Sequence, residues 1–266
     1  MHRYEREHIN EVWCGDSSVG SYLKIDGNKK RTYVIALIDD ASRMIVGIDI
    51  FFNDNFINLM SVLKTAVTRF GRPKILNFDN GSSYKNKQID LLTARIGSVI
   101  HYNQPYTPTG KAKIERWFRT MKDLWMSQLN MDEFSCLEEL SLSLLSFVNR
   151  YNKSVHTSLN GKTPENRFFE ESCLIKRLSE QEIEKSFLLE YERRVSADNV
   201  IVLNEIEYEV PYIYAKEKII IRYSADFTKV YVVNKNTKEL TPIKLLNKHD
   251  NSHIKREKVR LSGGDD

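Results

Sequence analysis

The stretch FINLMSVLKTAVTRFGRPKILNFDNGSSYKNKQIDLLTARIGSVIHY, residues 56–102, decides the fold. Phe56, Leu59, Met60, Leu63, Val67 and Phe70 recur at helical spacing, and Gly71 followed by Pro73 supplies the stop. Residues 74–78 are strand-like and run into the turn signature Asp79-Asn80-Gly81. Residues 86–96 read as a second helix closed by Gly97, and residues 98–102 as a further strand. Upstream, residues 12–16, 32–38 and 44–52 are apolar or rich in β-branched and aromatic side chains, with Asp39-Asp40-Ala41-Ser42 as a turn. They predict an antiparallel meander. A meander followed by helix, strand, helix and strand implies a mixed sheet covered by helices, because a crossover between parallel strands places a helix on a face.

Downstream, residues 104–110 (QPYTPTG) form a proline-punctuated loop. A long helix over 111–130 follows, with Ile114, Trp117, Met121 and Leu124 as its buried stripe. Another helix uses Leu137, Leu140, Leu144, Phe147 and Val148, and Thr163-Pro164-Glu165 opens a short one with proline in its first turn. Residues 171–195 read as a charged linker helix. From Asp198 the pattern changes: residues 200–203, 206–210, 218–223 and 229–233 are short β runs between turn residues, as in a small β-barrel.

The whole chain has 266 residues, 41% hydrophobic and 29% charged, which excludes a disordered or collagen-like protein. Forty Lys and Arg against 36 Asp and Glu give +4, too small an excess to diagnose nucleic-acid binding by itself. Cys14, Cys136 and Cys173 are scattered, which argues against a disulfide framework or a structural zinc site. No apolar run is long enough for a bilayer, and the polar start MHRYEREHIN does not read as a signal peptide. An intracellular protein without a membrane partner is expected.

Three carboxylates stand out by position. Asp16 lies on the first strand, Asp79 at the end of a later one, and Glu115 near the start of the long helix. Were they to converge, they would stay ionised together only around something positive. Oxygen ligands favour Mg2+ or Mn2+ over zinc, and two such ions suit an in-line phosphoryl displacement. Asp26, Asp39 and Asp40 compete with Asp16 but fall in turns. Lys111, Lys113, Arg116, Arg119 and Lys122 make the helix basic, and cations on the rim of Glu115 can hold a phosphate backbone. Asn80 either orients Asp79 or forms the turn. His156 reads as structural, since two-metal phosphoryl transfer needs no histidine.

Trp13 with Asp16, the strand-end Asp79-Asn80-Gly81, Glu115 after 35 intervening residues, and Lys122 seven residues later resemble the DDE transposases and retroviral-type integrases. The segment 105–111 resembles their loop before the catalytic helix. Tyr151-Asn152, His156, Leu159, Gly161 and Thr163-Pro164 resemble the segment that closes the core in bacterial insertion-sequence members. The β-rich end is similar to the small barrel of Mu-type transposases. The resemblance implies an RNase H-like α/β core over residues 8–170, a linker over 171–195, a small β-barrel over 196–246 and a flexible tail over 247–266.

It further implies catalytic and metal-binding roles for Asp16, Asp79 and Glu115, and DNA contact by Lys122, Arg119, Arg116, Lys113, Lys111 and Asn80. The implied activity is Mg2+-dependent (or Mn2+-dependent) hydrolysis at transposon ends followed by strand transfer into target DNA, by a homo-oligomer on DNA in the bacterial cytoplasm. A nuclease that cuts without joining, or an inactive DNA-binding remnant, are the rival readings. Only about ten residues precede the first strand, where such transposases carry a helix-turn-helix module, so end recognition is expected from elsewhere in a longer chain or from a partner.

Overall fold

The meander forms from β1 (Val12–Ile25), β2 (Asn28–Asp39) and β3 (Ile45–Phe51), paired antiparallel in succession. In the computed structural model, residues 6–79, 86–102 and 111–246 are described. The turn residues Asn80 and Gly81, the loop 104–110 and the tail 247–266 lie outside them. β1 and β2 are longer than the apolar runs suggest. They continue as a hairpin through Asp26 and Gly27, both at positive φ (50° and 80°), the backbone that a tight two-residue hairpin turn demands. Its polar strands hid it, although Asp-Gly is itself the hairpin signal.

After β3 come α1 (Phe56–Phe70), β4 (Ile75–Phe78), α2 (Lys87–Ile96) and β5 (Val99–Tyr102). Asn55 caps α1 by accepting from the Asn58 N–H, and Asn86 caps α2 by accepting from Gln88 and Ile89. The sheet order is β3-β2-β1-β4-β5, with β4 parallel to both β1 and β5. This is the mixed sheet expected of an RNase H-like core.

Side chains alternate across this sheet, so each face has its own helices. Cys14, Val34, Ala36 and Ile38 point to one face and share a core with α3 (Ala112–Leu124) and α4 (Leu137–Lys153). α1 covers β2 and β3 on the other face, where a β-carbon on Gly47 would lie only 3.0 Å from that of Ala66. α5 (Pro164–Phe169) has Pro164 in its first turn as expected, capped by Thr163. α6 (Glu180–Ser186) carries a capping box made by Ser179 and Glu182.

Two expectations are corrected here. The helix expected over 111–130 ends at Leu124, and short 3-10 turns follow at Met126–Gln128 and Met131–Glu133. Trp125 leaves the helix so that its indole enters the core and donates to Ser143 Oγ at 3.1 Å, while Leu124, expected in the buried stripe, is 58% exposed. Residues 171–195 are not one linker helix. They hold a 3-10 turn, the seven-residue α6 and a strand, β6 (Leu189–Arg194). β6 is an edge strand, and the charges that blunt such an edge gave it a helical look.

The chain divides into two compact units, Met1–Leu188 and Leu189–Asp266. In the second, β7 (Val200–Leu203), β8 (Ile206–Glu209), β9 (Lys218–Tyr223), β10 (Val230–Val233), β11 (Leu240–Pro242) and β12 (Lys244–Leu245) join β6 in two sheets, ordered β11-β10-β9-β6 and β12-β8-β7. Ile201, Tyr208, Ile221 and Val232 meet in a core that the two sheets share, giving a small barrel-like unit. Among the described residues, no helix is long and apolar enough to cross a membrane.

Candidate active site

The register of two parallel strands brings two of the three expected carboxylates together. Val12, Trp13 and Cys14 on β1 lie opposite Ile75, Leu76 and Asn77 on β4. Two residues further on, Asp16 and Asp79 follow Cys14 and Asn77 at the same level and on the same face. Adjacent strands are about 4.8 Å apart, so carboxylates at matched positions are neighbours. Asn77 Nδ2 donates to Cys14 Sγ (3.7 Å), and His101 Nδ1 lies 3.1 Å from Asn77 Oδ1. A polar row, Cys14–Asn77–His101, therefore crosses β1, β4 and β5 one pleat back from the acids. His101 is far from the acids in sequence and only the β4–β5 register reveals it.

Gly15 fixes how closely the end of β4 approaches β1. A β-carbon there would collide with the ring of Phe78, the residue before Asp79, and with the side chain of Leu37. The missing side chain lets Phe78 seat fully buried against β1.

Lys111, the residue before α3, places its ammonium between the two acids. Nζ lies 2.9 Å from Asp79 Oδ2 and 3.3 Å from Asp16 Oδ1. Asp16 Oδ1 also accepts the Ser17 N–H at 3.0 Å. The side chains of Lys111, Asp16 and Asp79 are 15%, 18% and 40% exposed, so the cluster opens towards Asp79. Burial raises the Asp16 carboxyl above the usual carboxylate range and the charge of Asp79 adds to that; Lys111 and the Ser17 N–H oppose the rise without cancelling it. Burial by itself would lower the Lys111 ammonium, but its hydrogen bond to Asp79 and the two negative charges outweigh that and raise it.

Glu115 stands one helical turn beyond Lys111, its N–H donating to the Lys111 carbonyl at 3.0 Å, with an exposed side chain. Among the described residues, no three His, Cys, Asp or Glu side chains gather closely enough to hold a metal ion. Asp16 and Asp79 are thus brought together around one cation, and Glu115 is set apart from them on the rim of α3.

The five helix cations separate into two kinds. Lys111 and Lys113 turn inward, Lys113 Nζ donating to Asp40 Oδ2 at 2.6 Å and to the Asp40 carbonyl at 3.1 Å. Arg116 and Arg119 are exposed and Lys122 half-buried; Glu115, Arg119 and Lys122 follow the i, i+4, i+7 rhythm of one stripe. Ile114, Trp117, Phe118 and Met121 are buried on the opposite side. Asp40 is a turn residue, as expected, but Asp39 is the last residue of β2, opposite Trp13, rather than part of the turn: its Oδ1 accepts from Ser42 N–H and Oγ–H, and its Oδ2 from Asn10 N–H.

The segment around Tyr151 supports α3 rather than supplying chemistry. Asn152 clamps β3 by accepting from Ile45 N–H (3.0 Å) and donating to its carbonyl (3.1 Å). Tyr151 packs edge-on against Trp117, and His156 edge-on against Tyr151. His156 Nδ1 accepts from the Ser158 N–H, a structural cap. Burial pushes the Cys14 thiol up to about 12, leaving it inert at neutral pH.

The donor set around Lys111 is made of hard carboxylate oxygens that already share one cation, so these residues fit a divalent ion such as Mg2+ or Mn2+. Two family models, both described as integrase core domain, match residues 6–108 and 96–164 and together contain Asp16, Asp79 and Glu115. The chain belongs to the DDE transposase/integrase superfamily. Among members, the transposase for transposon Tn552 of Staphylococcus aureus is 25% identical over 186 residues, 62% of this chain and 38% of that one. The Gag-Pro-Pol polyprotein of Bovine leukemia virus is 34% identical over 71 residues, 27% of this chain. This DDE superfamily chain thus spans 38% and 5% of the lengths of these two relatives. Solved structures similar to it include the catalytic core domain of BIV integrase (TM-score 0.49, 16% identity, 62% of this chain and 97% of that one). The HTLV-2 integrase catalytic core domain in complex with magnesium, in a dimeric form, gives 0.49 and 17% over 61% of this chain and 99% of that one.

Proposed function

We propose that this chain cuts and joins DNA by metal-dependent phosphodiester hydrolysis and strand transfer, with its catalytic part over residues 8–170. The observation that carries the reading is the pair Asp16, within β1, and Asp79, at the end of the parallel strand β4, which share one cation. Asp16, Asp79 and Glu115 are the residues that would hold Mg2+ or Mn2+, in two ions. When bound, such ions supply Lewis-acid activation of the attacking oxygen and stabilise the leaving oxygen. The chain's own part is to present those carboxylates: β1 and the end of β4 carry Asp16 and Asp79 side by side, and α3 carries Glu115. Arg116, Arg119 and Lys122 hold the DNA backbone, and Asn80, outside the described residues, is assigned to DNA contact. Water is the first nucleophile and a DNA 3′-hydroxyl the second. The partners are transposon ends and target DNA, engaged by a homo-oligomer in the bacterial cytoplasm.

The test is a joining assay with a duplex bearing a pre-cut 3′-hydroxyl end and a plasmid target, with Mg2+ or Mn2+. Joined products that vanish with excess chelator and with Asp79→Asn support the reading. Joining that survives either change overturns it, and cut DNA without joined products replaces it by a plain nuclease.

A further inference from the structure

We propose that Lys111 is the resident counter-ion of the Asp16–Asp79 pair, and that a divalent cation must displace its ammonium to bind there. This rests on the reading of that pair as a metal site. The ammonium lies between the two carboxylates, 2.9 Å from one and 3.3 Å from the other, and it is largely buried. Two parallel carboxylates at this spacing repel, and in a partly buried site that repulsion is screened less than in water. One lysine, contributed by the residue just before α3, relieves it without any metal.

The position of Lys111 gives the displacement a consequence. It is anchored at the N-terminal end of α3, four residues before Glu115, so the same backbone segment carries both the resident cation and the third expected ligand. Displacement of the ammonium would release the residue just before α3 from the two acids. Lys111 is thus a positioning residue, holding the two carboxylates together until a cation replaces it. The neighbouring Lys113 does not share this role, because it is committed to the Asp40 side chain and carbonyl.

The test is Mn2+ binding by calorimetry, together with thermal unfolding in chelator and in Mn2+, on the full chain without DNA. Lys111→Met is expected to bind Mn2+ about tenfold tighter than the parent, because no ammonium has to leave. It is also expected to melt lower than the parent in chelator, where Asp16 and Asp79 lose the cation they share, and to gain more from Mn2+. Lys111→Arg, which keeps the charge, should bind Mn2+ like the parent. If Lys111→Met does not fold, Lys111→Gln removes the charge while keeping a donor, and the same tightening is expected. Unchanged or weaker Mn2+ binding by the neutral variants, with Asp16→Asn still losing Mn2+, overturns the role of Lys111 and leaves the metal site standing. If the parent, Lys111→Met and Asp16→Asn bind Mn2+ alike or not at all, the metal site falls and this inference with it.

Discussion

Two lysines two residues apart at the start of α3 each reach an aspartate of the sheet, and the two clusters differ in what else holds the acids. Lys113 meets Asp40 in a turn where the adjacent Asp39 already accepts three hydrogen bonds, from Ser42 N–H, Ser42 Oγ–H and Asn10 N–H. Asp40 itself accepts the Arg6 N–H at 3.1 Å. Those donors are backbone or short local groups, fixed by the fold. Lys111 meets Asp16 and Asp79 where the cluster opens to solvent, Asp79 being 40% exposed, whereas the Lys113 and Asp40 side chains are 14% and 12% exposed. A carboxylate saturated by fixed donors is a structural member. A more exposed pair bridged by the tip of a flexible side chain can exchange that ammonium for an incoming cation. The same residue types, a few residues apart, thus serve a turn in one place and a candidate reaction centre in the other.

The largest expected effect lies in the open cluster. Asp79→Asn removes one oxygen ligand's charge and should reduce strand joining about a thousandfold or more, several kcal/mol at roughly tenfold per 1.4 kcal/mol, while circular dichroism and melting stay near the parent. If joining survives, the two clusters are alike in being structural, and the contrast collapses.

The saturated cluster should reveal itself in pH dependence. Burial pushes the Asp39 carboxyl up to about 6, although its hydrogen bonds to Ser42 and Asn10 oppose the rise. The folded chain then keeps a proton that the unfolded chain loses near pH 4. This group's contribution is therefore fully favourable below about pH 4 and is lost as pH rises to 6, by at most about 3 kcal/mol. Denaturant titrations from pH 4 to 7 should show this falling component in the parent and not in Asp39→Asn. Equal slopes in the two proteins would show that Asp39 ionises freely.

Lys113→Met should cost about 2 kcal/mol in a urea titration, because Asp40 loses its cation in a site where both side chains are under 15% exposed. Added Mn2+ should not restore it. Restoration by Mn2+ would make the two lysine clusters equivalent. The smallest effect is expected on the outer stripe: Arg119→Ala should weaken DNA binding a fewfold and reduce the slope of log affinity against log salt by about one. An unchanged slope would remove Arg119 from the DNA face.

Much of this architecture is legible in the sequence because local chemistry repeats in a recognisable period. Phe56 to Phe70 shows its helix, Gly71 and Gly97 its stops, and Thr163-Pro164 a capped start. The misreadings came where tertiary contacts override local preference. Trp125 leaves α3 to bury its indole, the charged edge strand β6 imitates a surface helix, and the polar hairpin through Asp26-Gly27 carries no hydrophobic alternation. In the candidate site, Asp16, Asp79 and Glu115 can be picked out by motif and spacing. The inward turn of Lys111 and Lys113 could not, since a basic run on a helix carries no information about which cations find an acid.

By itself the sequence determined the kinds of groups available, the strands and helices that bear them, and the superfamily to which their spacing belongs. Only the tertiary structure decided that Asp16 and Asp79 stand level, that Lys111 lies between them, that Asn77 links Cys14 to His101, and that Glu115 stays on the outer rim of α3. The reason is range. Helix and strand patterns are set by neighbours a few residues apart, whereas the pairing of residues 16, 79 and 111 depends on the register of β1 with β4 and on the seating of α3. The local pattern marks Ile114, Trp117 and Met121 as a buried stripe, but which strands that stripe packs against is a long-range matter.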